Sequence, residues 1–169
     1  MENSLVKHLK RNICIGVVNT FLKGTHFYSI KRNLLRIGGI QVARNVRVVA
    51  PIFVTADLTI GENTFIGREF SVYGNGSVAI GKNCDFGPAV SVLTGSHEIG
   101  DANHRAGNGK SYHITFEDGS WIGARSTFLG DISVKKGAVI ASGAVVINEV
   151  AENTLVGGVP AKMIKELDK

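Results

Sequence analysis

The 169-residue chain is short of the features that announce most other kinds of protein. It has two cysteines, Cys14 and Cys84, far apart and outside any motif. That excludes a disulfide framework and points weakly to a reducing, cytoplasmic setting. It has no apolar run of about 18 residues, so no transmembrane span is expected. A basic stretch, Lys7 to Arg11, precedes the apolar Ile13 to Leu22, but no small-x-small cleavage site follows, which argues against a secretory signal. Aromatic residues make up 7% of the chain and do not interleave with its spread Lys and Arg residues, so no nucleic-acid partner is expected. Prolines number three against 21 glycines. The glycines recur at regular positions and read as corners, not as disorder. The length allows one domain with a real core. The formal charge of +5 suits either ordinary solubility or an anionic ligand.

What is present is a period of six. Apolar residues fall at Val42, Val48, Val54, Ile60, Ile66 and Val72, resume at Ile80, Phe86 and Val92, and return at Phe116, Ile122, Phe128, Val134, Ile140 and Val146. Helices repeat near 3.6 and coiled coils near 3.5, so six excludes both and suits a parallel β-helix. Four residues after each beat comes a second inward position, among them Val46, Ile52, Leu58, Thr64, Phe70, Cys84, Val90, Ser126, Ile132, Ala138 and Ala144. Gly61, Gly67, Gly81, Gly87 and Gly123 follow the beat directly, where the expectation is that glycine supplies the positive φ of a corner.

The period breaks twice. Two extra residues lie between Val72 and Ile80, around Gly74, Asn75 and Gly76, and read as a small surface bulge. Residues 97–113, HEIGDANHRAGNGKSYH, do not scan and read as a long protruding loop holding three of the five histidines. Such loops are usually functional or mobile. Ahead of the repeat, residues 3–22 suit an amphipathic helix with Leu5, Val6, Leu9, Ile13, Val17 and Phe21 near one side. That helix reads first as a cap over the open end of the β-helix and second as a basic membrane-surface anchor. Residues 28–36 suit a second short helix. The resulting divisions are a helical cap over 1–36, a β-helix over 37–160 with the loop 97–113, and a short C-terminal helix over 161–169.

These residues resemble the hexapeptide-repeat acyltransferases over residues 35–167. The resemblance rests on the repeat, on TGSH at Thr94 to His97, and on the tail SWIGAR, IASGAVV and GGVPAKMIKEL. The spacing from His97 to Trp121 and Lys162 resembles the galactoside and maltose acetyltransferase branch. TGSHE and LLRIGGIQV look more like capsule and exopolysaccharide O-acetyltransferases. The resemblance implies a left-handed β-helix, a homotrimer with sites between subunits, acetyl-CoA as acyl donor, no metal, and a glycan or small-molecule acceptor. It makes His97 the general base of a direct transfer, since a hydroxyl needs deprotonation and imidazole titrates near neutrality. The Ala124 N–H would meet the developing oxyanion. Trp121, Ser142, Gly143, Ile147, Asn148, Lys162 and Lys165 would line the coenzyme A groove. Here the chain departs from the family, which usually has Ser or Thr then Lys where Ile147 and Asn148 stand, and often Arg where Lys162 or Lys165 stands. Glu98, Asp101, His104 and Arg105 are candidates to bind the acceptor or orient His97.

Other readings stay open. A zinc protein like the γ-class carbonic anhydrases would use His97, His104 and His113, although their spacing does not match that family's close histidine pair. Acetylation of a xenobiotic or an amino sugar, and a purely structural solenoid, are the others.

Overall fold

A computed structural model describes residues 4–168; residues 1–3 of the expected cap and Lys169 of the expected C-terminal helix lie outside the described residues. Two helices, α1 (Ser4–Phe21) and α2 (Tyr28–Ile37), lead into a parallel solenoid of about six turns. Each turn visits three faces. The first face stacks Gln41–Val42, Asp57–Ile60, Ser77–Ile80, His113–Phe116 and Ile132–Val134. The second runs from Arg47–Val48 through Phe65–Ile66, Asp85–Phe86, Trp121–Ile122 and Val139–Ile140 to Thr154–Gly158. The third stacks Ile52–Val54, Phe70–Tyr73, Ser91–Leu93, Thr127–Leu129 and Val145–Val146.

The period of six is the cause of this register. Three steps make one turn, so Val42 pairs with Ile60 and Phe116 with Val134. Every beat residue named above is buried, and so is every second inward position, Cys84 and Thr64 included. Strand side chains alternate between faces, so each short strand turns its beat residue inward. Down the axis, Phe70, Phe86, Phe116 and Phe128 stack edge to face at 5.5, 4.9 and 4.8 Å, the arrangement ring quadrupoles favour.

Three expectations need correction. The corner glycines after the beat do not have positive φ. That conformation falls two residues later, at Asn63, Glu69, Asn83, Ala89 and Arg125. Gly61 and Gly67 are glycine because coils stack too closely for a side chain: a Cβ on Gly61 would lie 2.4 Å from the Gly81 carbonyl oxygen. The loop 97–113 is mostly ordered sheet. Gly95–Ile99 and Ala106–Ser111 form an antiparallel hairpin, and His113 already belongs to the first face. The C-terminal helix is absent: Ala161–Glu166 is a strand that turns back on Thr154–Gly158. That return pairs the edge of the last coil, whose unpaired backbone outweighs the helix propensity of AKMIKE.

The helices cover the open N-terminal end. Ile15 and Val18 of α1 and Leu35 of α2 join the solenoid core. Much of the attachment is polar. Buried Arg11 donates to the carbonyls of Thr55 (2.9 Å) and Ala56 (2.6 Å) and to Asp57 Oδ1 (3.0 Å). Lys7 also donates to Asp57 (2.9 Å), and Asn19 exchanges hydrogen bonds with the Ile52 backbone. The Lys7 hydrogen bond, then that of Arg11, holds the Asp57 carboxyl below its usual range. Lys31 donates to the carbonyls of Gly24 and Val48, and burial lowers its pKa. The apolar side expected for α1 is not the side that packs, because Leu5, Val6, Leu9, Ile13, Val17 and Phe21 are all exposed.

Candidate active site

The hairpin leaves the solenoid at the edge between the third and first faces. Its root is buried Thr94, whose hydroxyl donates to the Tyr73 carbonyl (3.0 Å) and accepts from the Gly76 N–H (3.2 Å). Three residues on, His97 stands opposite Gly109 on the partner strand. A Cβ at Gly109 would meet nothing within 4 Å, so the strand opposite His97 is uncrowded at this position. His97 borders a cleft of about 350 Å³ with Tyr73, Asn75, Leu93, Ser96 and Lys110. Its ring is exposed and makes no hydrogen bond among the described residues. It is an exposed imidazole on a paired strand, at the border of the cleft.

The other polar residues of the hairpin mostly serve the hairpin. Glu98 is the next residue along the strand, where the register shifts between His97 and Ile99. It is ion-paired there with Lys110 at 3.8 Å. Asp101 accepts from the N–H groups of Asn103 and His104 and shapes the tip, and Arg105 donates to the Gly100 carbonyl. His104 is exposed at that tip. His113 Nδ1 lies 2.7 Å from Ser77 Oγ on the first face. His97, His104 and His113 are thus apart, and among the described residues no three His, Cys, Asp or Glu side chains form a metal-holding group.

The expected cofactor residues divide between two places. Trp121 projects from the second face between Asp85 and Val139, beside a cleft of about 470 Å³ with Phe65, Phe86 and Gly87. Ala124, Ser142 and Gly143 lie at the adjoining edge between the second and third faces, where the Gly143 N–H donates to the Ala124 carbonyl (2.8 Å). The N–H groups of Ala124 and Ser142 make no hydrogen bond among the described residues, which leaves two donors for a ligand between coils. Lys162 and Lys165 pair with Gly157 and Leu155 and extend the second face. Ile147 and Asn148 instead lie at the third-to-first edge, two turns beyond the hairpin and on the same side as His97.

Tyr73, Asn75 and Lys110 were not among the residues expected at the His97 cleft. The available signal was the two-residue insertion at Gly74 to Gly76, which lies at the same edge one turn before the hairpin. An interruption that repeats at one edge marks a place where the solenoid is built for something other than stacking.

No protein-family model matches the chain. It is 32% identical over 128 residues to a serine acetyltransferase of Bacillus licheniformis, covering 76% of this chain and 56% of that protein. It is 24% identical over 129 residues to the galactoside O-acetyltransferase of Escherichia coli, covering 75% and 64%. The chain therefore spans less than two thirds of the length of these curated relatives. A hexapeptide-repeat acetyltransferase from Vibrio cholerae superposes with a TM-score of 0.85 at 24% identity, covering 98% of this chain and 93% of that one. The same kind of protein complexed with acetyl coenzyme A gives 0.82 at 22% identity, covering 98% and 89%. Superposition this close requires the same hand of winding, so the β-helix that the repeat implied has the left hand that the resemblance implied. The chain thus has the fold of the hexapeptide-repeat acetyltransferases and is similar in sequence to acetyltransferases that carry the same repeat.

Proposed function

We propose that the protein is an acetyl-CoA-dependent O-acetyltransferase whose acceptor is a sugar hydroxyl, with a role in surface-polysaccharide synthesis, and that His97 is its general base. One observation carries the reading. An unencumbered imidazole stands on a paired strand at one edge of the prism, while Trp121 and the unpaired Ala124 and Ser142 N–H groups stand at another. A base and an oxyanion donor on different edges of one chain cooperate when a neighbouring copy brings the second edge to the first. That supports a trimer with its sites between subunits.

In that arrangement a ring nitrogen of His97 takes the proton of the acceptor hydroxyl as its oxygen attacks the thioester carbonyl. The tetrahedral oxyanion accepts a hydrogen bond from the Ala124 N–H of the neighbouring copy. The carbon–sulfur bond then breaks, coenzyme A leaves as thiolate, and the imidazolium returns the proton to it. Lys162 and Lys165 supply positive charge for the cofactor's phosphates, and Tyr73, Asn75 and Lys110 meet the acceptor. A second reading, acetylation of an amino-acid hydroxyl, is favoured by the likeness to serine acetyltransferase.

The test is thiol release from acetyl-CoA with a panel of sugars and serine, for wild type and His97→Ala. Acceptor-dependent release that falls about 10²–10⁴-fold in the variant supports the base. The responding acceptor decides between the two readings. Equal turnover in both proteins removes His97 from the chemistry. No release and no coenzyme A binding removes the activity.

A further inference from the structure

Helix α1 is amphipathic in reverse. Its polar side chains Lys7, Arg11 and Asn19 turn toward the solenoid and are hydrogen-bonded to the first coil. Its outer side carries Leu5, Leu9, Ile13 and Val17 at steps of four, one row along a helix, with Val6 and Phe21 beside them. Leu9 and Ile13 are each 59% exposed and Phe21 is 76% exposed. Phe27 before α2, with Ile30 and Ile37 on it, adds to the exposed apolar surface of this end. Apolar area gathered in this way marks a binding surface.

Charge identifies the occupant. Residues 1–36 hold seven Lys and Arg against one acidic residue, Glu2, so this end carries +6, whereas the remaining 133 residues sum to −1. Asp57 already takes Lys7 and Arg11, and Lys31 is buried. Lys10 on α1 and Lys23 just after it are exposed, whereas the Arg36 guanidinium donates to the Val42 and Ala43 carbonyls. A second copy of the chain would set one basic end against another, which like-charge repulsion opposes. Among the described residues no helix is long and apolar enough to cross a membrane, so the helix would lie on a bilayer rather than span it.

We propose that the outer face of α1 and its junction with α2 bind an anionic lipid surface. The helix lies in the interfacial plane with Leu9, Ile13 and Val17 among the upper acyl chains. Lys10 and Lys23 sit at the headgroups.

The full chain is sedimented with vesicles of phosphatidylcholine alone and of phosphatidylcholine mixed with phosphatidylglycerol. Wild type co-sediments with the anionic vesicles and far less with the neutral ones. The double variant Leu9→Glu, Ile13→Glu loses at least about tenfold in binding and keeps its circular dichroism and thermal midpoint, because both positions are exposed. Lys10→Glu with Lys23→Glu abolishes the preference for anionic vesicles. Failure of wild type to sediment with either vesicle overturns the proposal. So does binding that Leu9→Glu, Ile13→Glu leaves unchanged. If that double variant instead forms a smaller assembly than wild type without lipid, a second copy covers the face and the proposal also falls.

Discussion

Two edges of this prism bend the backbone identically and staff the bend differently. Between the first and second faces, Asn45, Asn63, Asn83 and Asn153 take positive φ, joined by Gly119 and Gly137. Between the second and third faces, Glu69, Ala89 and Arg125 take it, joined by Gly143. The backbone role is the same at both. The Asn83 N–H donates to the Glu62 carbonyl one coil below, and the Ala89 N–H donates to the Arg68 carbonyl. Only the side chains differ. Asparagine visits left-handed backbone cheaply, whereas other L residues meet a steric penalty there. The asparagine edge also gains a ladder, Asn45 to Asn63 to Asn83, at 3.2 Å per step. The costlier edge is the one that carries Ala124 and Ser142. The proposed coenzyme A site at the second edge gives a reason for its costlier residues that the first edge does not need.

The largest break in this comparison comes from a glycine at the second edge. A Cβ at Gly123 would lie 2.5 Å from the Ser142 amide nitrogen and 2.6 Å from the Ile140 carbonyl oxygen. Both are backbone atoms of the next coil and neither can rotate away. Gly123→Ala should cost about 1–3 kcal/mol in urea unfolding. It should also weaken coenzyme A binding, because it moves the coils that hold the two unpaired N–H groups apart.

The contrast between edges also shows where the sequence was legible. The solenoid core follows from one number, because a beat every six residues admits a single inward pattern; Val42 through Val146 obey it. The function of the corner glycines did not follow, since close approach and positive φ ask for the same residue and only stacked coils separate them. The hairpin was hidden because Ala106–Ser111, AGNGKS, has polar and small residues on both faces and so no alternation to read. The C-terminal strand was hidden by a local helix preference that edge pairing overrides. For α1, the pattern located an apolar side but not which side the protein uses, and three polar residues settled that. At the site, TGSH and SWIGAR marked His97 and Ala124, but Asn75 and Tyr73 reach the cleft only through folding.

A smaller effect is expected at the asparagine edge. Asn63→Ala keeps the bend, removes the cheap occupant of left-handed space and cuts the ladder in the middle. It should cost about 1–2 kcal/mol with the activity unchanged, read from the urea midpoint and from thiol release. A loss of activity at equal stability would mean that this edge also serves the site.

The smallest effect has the opposite sign. Ala89 holds left-handed backbone at φ 58° without the side chain that makes such backbone cheap. Ala89→Asn should therefore stabilise the protein by about 0.5–1 kcal/mol, whereas the same residue type is already optimal at the other edge. The gain has a reason for not having been taken. Ala89 follows Gly87 and Pro88 at the corner one coil from Ala124, and a Cβ at Gly87 would come within 2.7 Å of the Ala124 nitrogen. A longer polar side chain at this corner is expected to crowd a ligand held in the proposed site. Isothermal titration should show coenzyme A binding weakened in Ala89→Asn while the thermal midpoint rises, the exchange of stability for function expected where an edge is shaped by a ligand. A rise in both would mean that the alanine is kept for neither reason.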